Sequence, residues 1–200
     1  MASENVEILQ TFDTNLHADS VEWCPLEGLQ HIMLCGTYQL LEDAPPVPGG
    51  QQIRVGELRV YSLDLKPAIP KLSLETKRGM PGILDIKWLP QYLHEKPVFG
   101  LVNAKGDLIL SSFDRHHESS LERKDAENEV VSGSGDSLEE DFDPRFAVGI
   151  LSTASLGECV GLSLDWANTH EGSLAHVVAS DSTGSLSVYD LKEDFNLISR

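Results

Sequence analysis

The chain has three tryptophans, and each closes the same short pattern. Trp23 ends "DSVEW", Trp88 ends "ILDIKW" and Trp166 ends "GLSLDW". Val21, Ile86 and Leu164 stand two places earlier, and a charged residue, Glu22, Lys87 or Asp165, lies between. Such alternation gives one dry face and one wet face, the period of a half-buried β-strand. One costly residue type confined to one slot of one kind of strand points to a repeated structural unit.

A second element follows each tryptophan. "GELRVYSLD" (56–64), "GDLILSSFD" (106–114) and "GSLSVYDLK" (184–192) share Gly-x-Leu-x-aliphatic, headed by Gly56, Gly106 and Gly184. The tryptophan-to-glycine distance is 18 residues in the second and third copies and 33 in the first. The surplus lies around the Pro/Gly-rich stretch 42–52, a loop predicted to interrupt a hairpin. In the other copies "NAKG" (103–106) and "DSTG" (181–184) read as tight turns whose glycine takes a positive φ. Asp181 reads as the residue that opens its turn rather than as a ligand. Each copy also has an earlier strand candidate, at 6–12, 71–76 and 146–151. The expectation is four strands per unit: a first unit over about 5–64, a second over 70–114, a third over 146–192, and the start of a fourth at 195–200.

Four-stranded antiparallel units in tandem, the clearest being "VASDSTGSLSVYD", resemble the blades of WD40-type β-propellers. The tryptophan periods, 65 and 78 residues, exceed the roughly 40–45 of a typical WD40 unit. The loops 42–52 and 115–145 supply the excess. The expected fold is therefore all-β, a truncated WD40-type propeller of about three four-stranded blades. A β-sandwich of a dozen strands is the alternative, but it gives no reason for the shared tryptophan slot. Trp23, Trp88 and Trp166 are expected to wedge blade against blade. Three blades do not close a ring, because a blade buries its faces only between neighbours, so the chain is expected to be the N-terminal part of a longer propeller.

Composition narrows the partners. Fifteen Lys+Arg against 32 Asp+Glu give a net charge of −17, which repels phosphate backbones and argues against nucleic acid. No apolar run approaches the ~18 residues of a membrane span, and no secretory signal opens the sequence. Cys24, Cys35 and Cys159 are scattered without a CxxC and read as reduced, buried thiols of a cytoplasmic protein, not a zinc site. His116-His117 lacks a second spaced pair of ligands, so no metal is expected. Residues 118–143 carry ten Asp+Glu and two Lys+Arg, a composition expected to be disordered, with Ser137-Leu-Glu-Glu resembling an acidophilic kinase site. Its deletion is expected to leave a soluble, folded protein, checked by yield and thermal unfolding of the shortened chain.

The first unit carries a more specific resemblance. The run Asp13 through Pro25, "DTNLHADSVEWCP", and the run Cys35 through Leu40, "CGTYQL", are similar to the opening of the diphthine methylesterase family, WD-repeat proteins formerly described as diphthine methyltransferases. "ILDIKW", "LSLDW" and "SDSTG" extend the resemblance into the later units. It implies hydrolysis of a methyl ester on diphthine, a modified histidine of a translation elongation factor, as a step of diphthamide biosynthesis. The implied partner is that modified factor as protein substrate, with no membrane, no nucleic acid and no cofactor, and with a monomeric complete enzyme. A non-catalytic WD40 scaffold is the alternative, since fold does not fix function. The nucleophile-elbow pattern G-x-S-x-G is absent. The resemblance carries over no catalytic residues and their identity stays open; the candidates the sequence offers are His17 and Asp19, which share a side of the strand if it begins that early. Asp19 and Ser20 otherwise read as loop residues that satisfy backbone groups.

Overall fold

The computed structural model describes residues 8–42, 52–115, 146–167, 175–192 and 194–199. Among them the chain forms twelve strands and no helix. In order these are β1 (His17–Trp23), β2 (Ile32–Leu40), β3 (Arg54–Asp64), β4 (Lys71–Pro81), β5 (Ile83–Trp88), β6 (Val98–Asn103), β7 (Asp107–Arg115), β8 (Phe146–Ser155), β9 (Gly161–Ala167), β10 (His176–Asp181), β11 (Leu186–Leu191) and β12 (Leu197–Ser199). They make three antiparallel four-stranded sheets, β1–β4, β5–β8 and β9–β12, each with its strands in chain order. These are three successive propeller blades.

The sheets are offset by one strand from the sequence units. Segments 71–76 and 146–151 do not open the second and third sheets; as parts of β4 and β8 they complete the first and second. Likewise 197–199 pairs with β11 and completes the third sheet instead of starting a fourth. The reason is connection length. Six residues separate Asp64 from Lys71, enough only to fold the chain back beside the strand it has left. Leu63 accordingly pairs with Leu72, and Asp64 with Lys71. Residues 8–12 of the predicted first strand belong to no sheet.

The hairpin of the first sheet is lengthened rather than broken. β2 and β3 stay paired past Gly56 as far as Leu40 and Arg54, and residues 43–51 lie outside the described residues. Gly56 itself needs no positive φ; a Cβ there would stand 2.1 Å from the Thr37 carbonyl oxygen, so its glycine permits close approach of two strands. Gly106 (φ +75°) and Gly184 (φ +86°) do occupy left-handed turn positions. Each turn is organised from the same slot by a side-chain oxygen. Asn103 Oδ1 accepts the amides of Lys105 and Asp107 at 2.9 and 3.1 Å. Asp181 Oδ1 accepts the Thr183 amide at 2.8 Å, its hydroxyl at 2.5 Å and the Ser185 amide at 3.2 Å.

The Thr183 hydroxyl, helped by the amides of Ser185, Thr183 and Gly184 and opposed by burial, holds the Asp181 carboxyl below the usual carboxylate range. A depressed folded-state pKa stabilises above the unfolded value, about 3.9, and that contribution is lost as pH falls through the folded value. Asn103 shows that a neutral amide can build the same turn. Asp181→Asn is therefore expected to fold normally at neutral pH and to lose less stability than the parent below about pH 4, measured as melting temperature against pH.

Two apolar clusters hold the blades together. The rear of the first sheet (Ile32, Leu34, Leu58, Val60) meets the front of the second (Ile86, Trp88, Phe99, Phe113). The rear of the second (Val98, Val102, Leu108, Leu110) meets the front of the third (Leu164, Trp166, Val177, Tyr189). The tryptophan slot thus always faces the preceding blade. Trp88 and Trp166 are wedged as expected, at 3% and 9% exposure, but Trp23 is 46% exposed, because among the described residues no blade lies in front of the first sheet. Cys24, Cys35 and Cys159 are free and buried, and burial raises all three thiols above the ordinary range.

Candidate functional site

The inner strands β1, β5 and β9 lie side by side, so equivalent slots of the three repeats become neighbours. Three places before each tryptophan stand Ser20, Asp85 and Ser163. Asp85 joins all three strands. Its Oδ1 accepts the Ile86 amide at 2.9 Å and the Ser20 hydroxyl at 3.4 Å. Its Oδ2 accepts the Ser163 hydroxyl at 2.7 Å and the Leu164 amide at 3.0 Å. Ser20 Oγ in turn accepts the Ile86 amide at 3.1 Å. A carboxylate with this many donors is a strut: its lone pairs are committed to the scaffold.

One place before each tryptophan stand Glu22, Lys87 and Asp165. Lys87 Nζ lies 3.4 Å from Glu22 Oε2 and 3.6 Å from Asp85 Oδ1. Burial pulls the ammonium pKa down, but the two carboxylates outweigh it and the net shift is upward. The tryptophans continue the series through their indole N–H groups, which seek acceptors when buried. Trp88 Nε1 donates to the Glu22 carbonyl at 3.4 Å and Trp166 Nε1 to the Lys87 carbonyl at 3.0 Å. The inner strands therefore present one lysine among four carboxylates, Asp19, Glu22, Asp85 and Asp165.

His17 and Asp19 stand at the start of β1, both exposed. A bulge between Ala18 and Ser20 leaves Asp19 without a cross-strand partner, so the strict alternation that placed the two on one side does not hold across it. The His17 ring lies tilted against Tyr38, centroids 6.2 Å apart, and no hydrogen bond joins His17 to Asp19 among the described residues. Ser20 turns inward, to Asp85. His116, His117 and Ser137 lie outside the described residues.

Asp85 and Ser163 carry no local sequence mark of their own. The signal was present: aligning the tryptophans puts an aspartate between two serines in one column, an arrangement of one acceptor and two donors.

A polar concavity lies at the β3–β4 turn of the first blade, against Phe146 at the start of β8. About 550 Å³ in volume, it is lined by His31, Ser62, Asp64, Lys66, Glu75 and Phe146 among others. The Ser62 hydroxyl donates to Glu75 across β3 and β4.

Fold and inner-strand geometry together define a blade-repeat protein of the β-propeller class. No family model matches the chain. It is 34% identical over 200 aligned positions to the human protein named diphthine methyltransferase, covering 92% of this chain and 38% of that protein. To the mouse protein of the same name it is 32% identical over 198 positions, 94% of this chain and 36% of the relative. The chain is similar to these proteins along nearly all of its own length. It spans well under half the length of these curated relatives.

Proposed function

We propose that the chain serves diphthamide biosynthesis, in the cytoplasm, by hydrolysing the methyl ester of diphthine on a translation elongation factor. The observation that carries this reading is the match to the diphthine methyltransferases along 92% of the chain. Hydrolysis, in place of the transfer that the relatives' name describes, rests on the resemblance of 13–25 and 35–40 to the methylesterase family. The chemistry of the substrate agrees with the charge of the protein. A quaternary ammonium next to the ester donates no hydrogen bond and is held by negative charge and aromatic faces, and the inner strands carry four carboxylates to one lysine.

Ester hydrolysis needs a base to take the proton from the attacking oxygen while methanol leaves. The candidates for that role are His17 and Asp19, both exposed at the start of β1 and each acting separately. In this chain joined to the remainder of the human relative, whichever of His17→Ala and Asp19→Ala removes the base is expected to lower kcat roughly 100-fold with little change in KM. Unchanged turnover in both variants would remove the pair from the mechanism.

The function itself is tested with the methyl-ester form of the elongation factor, without any methyl donor, incubated with this chain and separately with the human relative. Methanol release supports hydrolysis, and release by the relative alone assigns turnover to parts beyond these 200 residues. Release by neither favours a non-catalytic scaffold.

A further inference from the structure

Resting on the hydrolysis proposed above, we infer that Tyr38 is the aromatic face on which the quaternary ammonium of the substrate is held, beside His17 at the start of β1. The two runs that carry the family resemblance, 13–25 and 35–40, pair as β1 and β2, with His17 directly opposite Tyr38. Packing accounts for the first half of the second run. Cys35 is buried. Gly36 makes room for Ile83, whose Cγ2 would stand 2.6 Å from a Cβ there. Buried Thr37 exchanges hydrogen bonds with Glu57, its hydroxyl accepting the Glu57 amide at 2.8 Å and donating to the Glu57 carbonyl at 3.3 Å. Tyr38 differs: it is only half-buried, and among the described residues its hydroxyl has no hydrogen-bond partner.

The His17 and Tyr38 rings form one bent wall. Their centroids are 6.2 Å apart and their planes 40° apart, too close to admit a methyl group between them. His17 is exposed and Tyr38 half-exposed, so the wall is open to solvent. Its back is set by the link from β4 to β5. A Cβ on Gly82 would stand 3.3 Å from both Cβ and Cδ2 of Tyr38. The missing side chain lets the ring rest on the main chain, held in place before any ligand arrives. Asp19, the bulge residue of β1, is exposed two places along from His17.

A trimethylammonium group has no N–H to donate and spreads its charge over its methyls. A ring face within about 6 Å and a carboxylate nearby are the groups that hold it. Tyr38 supplies the face and Asp19 the negative charge. The ester stands next to the ammonium, so a cation seated on Tyr38 brings the carbonyl to the start of β1, where both candidates for the base stand. Arg54 is a cation on the same edge and opposes this only weakly. It lies one strand further out, on β3, and its guanidinium is turned to Gln52, Nη2 standing 2.8 Å from Oε1. Trp23 is also an exposed aromatic of β1, but it stands at the opposite end of the strand from His17.

Choline and its uncharged carbon isostere, 3,3-dimethylbutan-1-ol, titrated separately into the chain and followed by the ring resonances of Tyr38, His17 and Trp23, provide the test. Choline is expected to shift the Tyr38 ring and to bind roughly tenfold more tightly than the isostere. Tyr38→Phe keeps the face and is expected to stay within about twofold of the parent, whereas Tyr38→Leu is expected to lose the preference for the cation. In the chain joined to the remainder of the human relative, Tyr38→Leu is expected to raise KM for the methyl-ester factor roughly tenfold with kcat unchanged, and Tyr38→Phe to restore it. Equal binding of the two probes overturns the assignment, as do choline shifts centred on Trp23, a cation preference that survives Tyr38→Leu, or a KM that this substitution leaves alone. Choline binding needs no turnover. A chain that holds choline at Tyr38 while the ester stays intact therefore keeps the subsite and loses the reaction, and methanol release with no cation preference does the reverse.

Discussion

Trp88→Ala is expected to cost about 3–5 kcal/mol of folding stability, whereas Trp23→Ala, the same substitution in the same slot one blade earlier, is expected to change stability by under about 1 kcal/mol. Trp88 lies against Phe99 and Phe113 at centroid distances of 5.2 and 6.0 Å, edge-on to both, inside the cluster that joins the first two sheets. Removing the indole opens a cavity between sheets that cannot collapse without moving a whole blade, and it also removes the bond to the Glu22 carbonyl. Trp23 has solvent where Trp88 has a blade. The comparison is read from urea unfolding midpoints at constant slope. Equal losses would mean that the front of the first sheet is already covered in solution.

Asp85→Ala carries the other large effect. The substitution removes the acceptor for two hydroxyls and the Leu164 amide, and takes from Lys87 one of the two carboxylates that pair with it among the described residues. Hydrogen bonds to a charged acceptor contribute about 1.5–3 kcal/mol each, and stranded buried donors add to the loss. Water reaches Ser163 and can replace part of that network, so a net loss of about 3 kcal/mol is expected. Ser20→Ala and Ser163→Ala, each removing one donor while leaving the acceptor with others, are expected to cost about 1 kcal/mol or less. Denaturant unfolding of the three variants checks the order. If Asp85→Ala proves no worse than the serine variants, the carboxylate is not the tie between strands.

Much of this fold is legible in the sequence because the physics that builds it is local. The Val-x-Trp, Ile-x-Trp and Leu-x-Trp strands announce their own alternation, and the turns at Asn103 and Asp181 announce theirs through side-chain acceptors followed by glycine. Sheet membership is less legible. Whether Lys71–Pro81 ends one sheet or opens the next depends on which neighbour it pairs with, and alternation is the same in either case; only the short link from Asp64 distinguishes them. Trp23 shows the opposite failure, since its slot predicts burial but burial needs a neighbouring sheet. The candidate site was less visible still. Parity puts His17 and Asp19 on one side of a regular strand, and a single bulge residue breaks parity without leaving a mark in composition. Asp85 functions through partners 65 and 78 residues away, a distance across which no local pattern speaks.

The one-strand offset between sequence repeats and sheets bears on where such a chain can be cut. A cut just before Lys71 or Phe146 respects the repeats, yet it strips the edge strand from the sheet before it and exposes a row of unpaired main-chain groups, the template for aggregation. A cut at Gly82, or between Ser155 and Gly161, leaves whole sheets on both sides. The unit in which this sequence is written is thus not the unit in which it is stable. Adjacent blades are bound by a shared stretch of backbone as well as by packed side chains, so the gain or loss of one repeat alters two sheets at once.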